Sequence, residues 1–204
     1  MTRAAVAAVL LGLLSTTQGV AEPASDLRLA AFEEACLDGY RNPDIRAAVI
    51  AAAGWSPVAD DADPALARLM AISREAMVQA EEEDGFTGTI AAYAGRLAGG
   101  EAYLVTTELD MPADAEWKID LLGCYLYDFA AAAPLPPSLI TSRFDERPAE
   151  VVDQPDVIVA QTWNIEQIEG VWELRSTFIP PGSPAVAVTG FTGLAISLTS
   201  TREG

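Results

Sequence analysis

The stretch Trp117-Lys118-Ile119-Asp120-Leu121-Leu122-Gly123-Cys124-Tyr125-Leu126-Tyr127 decides the fold class of this chain. Successive side chains of a strand point to opposite faces. One face then carries Trp117, Ile119, Leu121, Tyr125 and Tyr127, and the other carries Leu122, Cys124 and Leu126. A strand that is apolar on both faces belongs in the middle of a sheet, because an edge or single-sided strand would leave one of those faces wet.

Working outward, the segments after residue 86 keep a period near two. Residues 87–94 and 101–109 read as a hairpin with Gly99-Gly100 in its turn. Residues 157–165 and 171–179 read as a second hairpin around Glu169-Gly170. Residues 185–189 and 194–199 are strand-like, with Gly190 and Gly193 between them. Residues 138–144 suggest a short helix after the Ala/Pro connector 130–137.

Upstream of residue 86 the period is helical. Asp26 caps a first helix bearing Leu29, Phe32, Cys36 and Leu37, with Gly39 to stop it. Asn42-Pro43 and Asp63-Pro64 each place a capping side chain before a proline at the first helical position. Leu66, Leu69, Met70, Ser73, Met77 and Ala80 line one face of the longer helix after Asp63, which Gly85 closes. The expected class is α+β: N-terminal helices packed on one face of a mostly antiparallel sheet.

Residues 1–21 read as a cleavable signal peptide. Arg3 gives the positive start, residues 4–14 are an uncharged apolar run, and Gly19-Val20-Ala21 offers small residues for cleavage before Glu22. Those 11 apolar residues fall short of the roughly 20 that a membrane span needs. The expected organisation is therefore a leader over 1–21 and a single α+β domain over 22–204, without a membrane anchor once cleaved. The implied destination is periplasmic or secreted. The alanine content and the style of leader associate it with a bacterium.

The formal charge is −18, and loss of Arg3 with the leader takes the mature chain to −19. Nucleic acid is excluded as a partner, since phosphate contacts need clustered Lys and Arg. Basic proteins and cationic ligands stay open as partners; solubility alone also explains the acidity. The chain has no histidine. That removes the commonest general base and metal ligand and rules out Ser-His-Asp and Cys-His sites. No cofactor and no metal site is expected.

Cys36 and Cys124 are the two cysteines. One sits on the apolar face of the first helix and the other on an apolar face of the central strand. In an oxidising compartment they are expected to form a disulfide; the alternative is a pair of buried thiols.

Asp60-Asp61-Ala62-Asp63 lacks the glycine and closing glutamate of a twelve-residue calcium loop and reads as a turn that caps a helix. The acids 81–84 read as a solvated helix end. Glu108, Asp110, Asp120 and Asp128 lie in or near strands, where paired carboxylates would suit acid–base hydrolysis. Trp117, Tyr125 and Tyr127 form a possible interaction face if it is open; otherwise they are the second half of the core. The functional expectation is an acidic, exported binding or interaction module. The alternative is a carboxylate-dependent hydrolase.

Overall fold

A computed structural model describes residues 26–37, 42–97, 100–112 and 119–203. The expected signal peptide and its cleavage site, Gly39, Gly99 and Trp117 lie outside the described residues.

The helical front begins with α1 (Leu27–Cys36), α2 (Pro43–Ala52) and the two-residue strand β1 (Ser56–Pro57), followed by α3 (Pro64–Asp84). The strand-rich back follows as β2 (Thr87–Leu97), β3 (Gly100–Asp110), β4 (Ile119–Asp128), α4 (Pro137–Phe144), β5 (Glu150–Gln154), β6 (Ile158–Trp163), β7 (Val171–Ile179), α5 (Val186–Thr189) and β8 (Gly193–Glu203). The strands form one open, eight-stranded sheet in the order β1-β2-β3-β4-β8-β7-β6-β5. Every pairing is antiparallel.

The capping signals work as their chemistry requires. Asp26 Oδ1 accepts from the Arg28 backbone N–H at 2.9 Å. Asp63 Oδ1 accepts from the N–H groups of Ala65 and Leu66 at 2.7 and 3.2 Å. Gly85 ends α3 at φ +72°, a left-handed conformation that glycine adopts without strain.

β4 is central, hydrogen-bonded to β3 on one side and β8 on the other. Its two apolar faces need two covers. Leu122, Cys124 and Leu126 face a core shared with Leu29, Phe32 and Cys36 of α1, Ile50 of α2 and Ile140 of α4. Tyr127 faces a second core with Leu66, Leu69 and Met70 of α3 and with Phe191. The expectation that the helices share one face is thus corrected. α3 packs on the face opposite α1, because a strand apolar on both sides is buried only between two layers.

The register explains the close packing. Tyr103 pairs with Tyr127 and Leu104 with Leu126, so aromatic and aliphatic side chains of β3 and β4 align on their respective faces. Gly95 leaves room for the Trp55 ring: a Cβ there would stand 2.7 Å from it.

Two further differences concern the back half. Residues 185–189 form the helical turn α5 rather than a strand, with Gly190 closing it at φ +80°. The short strand β5 is exposed at four of its five residues, and no alternation in its sequence marks it as a strand. It becomes a strand by pairing with β6 from Glu150↔Thr162 to Gln154↔Ile158.

Candidate functional site

Cys36 and Cys124 are bonded, with Cα atoms 5.7 Å apart and both side chains fully buried. The bond ties α1 to β4 across a separation of 88 residues. The bond lies in a buried, mainly apolar core, with Thr106 across from Cys124, and staples α1 to the sheet.

Of the expected interaction face, Tyr127 is only 7% exposed. Its ring meets Phe191 edge-on at 5.2 Å and Phe129 at 5.8 Å, and Phe129 in turn meets Tyr103 at 5.5 Å. Burial raises the Tyr127 hydroxyl well above its ordinary pKa. Tyr125 is partly buried against the same core, stacked 6.3 Å from Tyr127. Its ring lies over Gly123, where a Cβ would come within 2.6 Å of it. Burial raises the Tyr125 hydroxyl, against a hydrogen bond with Thr107 that lowers it. The aromatic residues described on this face are mainly core. Of the later tryptophans, Trp163 is fully buried with its indole N–H 3.4 Å from Thr141 Oγ1, whereas Trp172 is 56% exposed at the bulge of β7.

The four strand carboxylates divide. Glu108, Asp110 and Asp120 come together at one end of the sheet, each offering a carboxylate oxygen within 4.8 Å of the others. The β3–β4 register places them on the α1 face. Arg46 of α2 reaches this group, its Nη1 2.7 Å from Glu108 Oε2. Asp128 lies at the other end of β4, with Arg28 Nη1 3.7 Å away. One of these three carboxylates is already held by a guanidinium. The Arg46–Glu108 pair ties α2 to β3 at this end of the sheet.

The Asp60–Asp63 turn is likewise engaged: Asp60 Oδ2 pairs with Arg74 at 2.6 Å, and Asp63 is the α3 cap. Glu81, Glu82 and Glu83 are all exposed at the C-terminal end of α3. Glu81 lines a groove of about 410 Å³ between α3 and β2, with Met77, Val78, Gly88, Thr89, Ile90 and Arg74. A second groove, about 270 Å³, runs between α1 and α4 over Leu29, Ala30 and Leu139, bridged at its rim by Arg143 Nε 3.0 Å from Glu33 Oε1. Sequence reading named the acids of the first groove but not the groove. Its floor comes from a strand and its wall from a helix, and only their docking makes a concavity.

No family model, curated protein or solved structure matches the chain. No helix among the described residues is long and apolar enough to cross a membrane.

Proposed function

We propose that the protein is an exported binding module that works in the periplasm or outside the cell. The observation that carries the binding part is the open α3–β2 groove, whose wall includes Val78, 52% exposed, and Glu81. Binding sites are concave and lined mainly by apolar side chains with a few polar groups, as Met77, Val78 and Ile90 with Glu81 line this groove. Export is supported by the leader-like residues 1–21 and by the buried disulfide, which persists in oxidising compartments. The −18 formal charge favours basic proteins or cationic ligands as partners and disfavours nucleic acid.

The alternative, a carboxylate-dependent hydrolase, draws on the gathering of Glu108, Asp110 and Asp120. Retaining glycosidases hold two carboxylates about 5 Å apart. Against it stands Arg46, whose guanidinium already pairs with Glu108 at 2.7 Å.

The test has two parts. Expressed with its leader in a bacterial host, the protein should appear in the osmotic-shock fraction with Glu22 as its first residue. Retention of Met1 in the membrane pellet would refute export. The purified protein should also leave a panel of chromogenic glycosides and esters unchanged. Turnover that vanishes in Glu108→Gln and Asp120→Asn would overturn the binding reading in favour of the hydrolase.

A further inference from the structure

We infer that the α3–β2 groove takes an extended, basic peptide segment of a partner protein, which adds as a strand to the open edge of β2. This rests on the binding reading above and names the site and the chemistry of its partner.

Four observations converge on residues 87–91. First, β2 is eleven residues long, but β1 covers it only at Ser56↔Ala94 and Pro57↔Tyr93. The Val58 N–H extends that cover by one bond, to the Ala92 carbonyl at 3.1 Å. Among the described residues no strand lies beside 87–91 on that side. A row of strand N–H and C=O groups without a neighbouring strand is a template for pairing. Five residues give about 17 Å of it.

Second, α3 packs over the face of β2 at this same end of the strand and walls a groove there with Gly88, Thr89 and Ile90. Met77 lies close on Gly88, where a Cβ would come within 2.6 Å of the Met77 methyl. Glycine at this position lets the helix settle against the strand and keeps the backbone accessible.

Third, the groove offers apolar contact at one place: Val78 is 52% exposed, with Met77 and Ile90 half-buried beside it. In an added strand every second side chain would point toward α3 and meet these residues, which is how such grooves select sequence.

Fourth, the charge is one-sided at the Thr87 end. Glu81, Glu82 and Glu83 are exposed on the last turns of α3, where the helix dipole adds further negative potential. Arg74, the cation in the lining, already pairs with Asp60. A segment with an apolar residue over Val78 and Lys or Arg beside Glu81 to Glu83 satisfies backbone, groove and charge together. The other sheet edge, β5, is a weaker template, being five residues long and backed by no groove among those described.

The probe is the capped peptide Thr-Val-Thr-Val-Thr-Lys-Lys, with a Glu-Glu-ended counterpart as control. Binding to the oxidised protein is measured by calorimetry and by backbone amide shifts. The lysine peptide should bind, with shifts centred on residues 87–91 and 74–83. Replacing Glu81, Glu82 and Glu83 by Gln should weaken it about tenfold or more, as the loss of ~1.4 kcal/mol of attraction would. Val78→Ser tests the apolar wall without adding charge and should weaken binding while changing the melting temperature little, since the side chain is 52% exposed. Equal affinity for the acidic peptide, or no binding at millimolar peptide, would overturn the inference. Shifts centred on β5 or on the α1–α4 groove would refute this site while leaving a binding function standing. Turnover dependent on Glu108 and Asp120 would instead remove the reading on which it rests.

Discussion

At the scale of single residues, the structure concentrates its consequences in Cys124 and Tyr127, neighbours on opposite faces of β4. The Cys36–Cys124 bond closes 88 residues of sequence. Chain-entropy reasoning assigns such a loop about 4 to 5 kcal/mol, an upper figure because native strain subtracts from it. Domains are typically stable by about 5 to 15 kcal/mol. Cys124→Ala should therefore lower the urea midpoint and melting temperature severely, while far-ultraviolet dichroism at low temperature stays near native. Unchanged melting in that variant would show that the bond contributes little. Tyr127 makes a pH-dependent contribution. Burial raises its hydroxyl pKa in the folded state above the unfolded value of about 10. The stability tied to its neutral form is complete below pH ~10 and falls by about 1.4 kcal/mol per pH unit as pH rises toward the folded pKa. Urea midpoints between pH 8 and 11 should decline, and Tyr127→Phe should make the decline shallower. Tyr125, shifted in the same direction, keeps part of the slope in that variant.

At the scale of elements, α3 is the piece on which both core and groove depend. Its stripe of Leu66, Leu69 and Met70 fills the second core, while its C-terminal turns carry three exposed glutamates against the dipole. The two ends thus differ in stability. The first turn is held by Asp63 and by Pro64 at the start of the helix. Asp63→Ala removes two hydrogen bonds to backbone N–H groups, of 2.7 and 3.2 Å, and should cost about 1 kcal/mol. Asp63→Asn should recover most of it, since an amide oxygen caps nearly as well. Thermal melts of the three proteins check this; equal melting of the alanine and wild-type proteins would contradict the assigned cap.

At the scale of the whole molecule, 30 acids stand against 12 basic residues. Several of the described cations are committed to intramolecular pairs: Arg28 with Asp26, Arg46 with Glu108, Arg74 with Asp60 and Arg143 with Glu33. Of these, Arg74–Asp60 is exposed on both partners, and such pairs contribute about 0 to 1 kcal/mol, whereas unbalanced charge repels across the whole surface. Salt that shortens the screening length from about 30 Å at 0.01 M to about 8 Å at 0.15 M weakens that repulsion more than it weakens the close pairs. The melting temperature should accordingly rise with sodium chloride over this range. A fall would mean that the ion pairs outweigh the repulsion.

Local chemistry made much of this architecture legible in the sequence. The caps at Asp26 and Asp63, the stop at Gly85, the hairpin partners and the central place of β4 all follow from short-range rules: which side chain can cap, which residue tolerates positive φ, which period an apolar stripe has. The cysteine pairing was also legible, because each cysteine lay on the apolar stripe of its own element and two buried stripes meet. Only the tertiary structure placed α3 opposite α1, since an apolar stripe shows that a helix is covered but not by which face of the sheet. It alone made a strand of residues 150–154, whose partner across β6 supplies the order that their own sequence lacks. It alone separated Asp128 from Glu108, Asp110 and Asp120, because strand register sets which carboxylates meet. It alone opened the groove beside β2, because a concavity belongs to the gap between two elements and is encoded in neither of them singly.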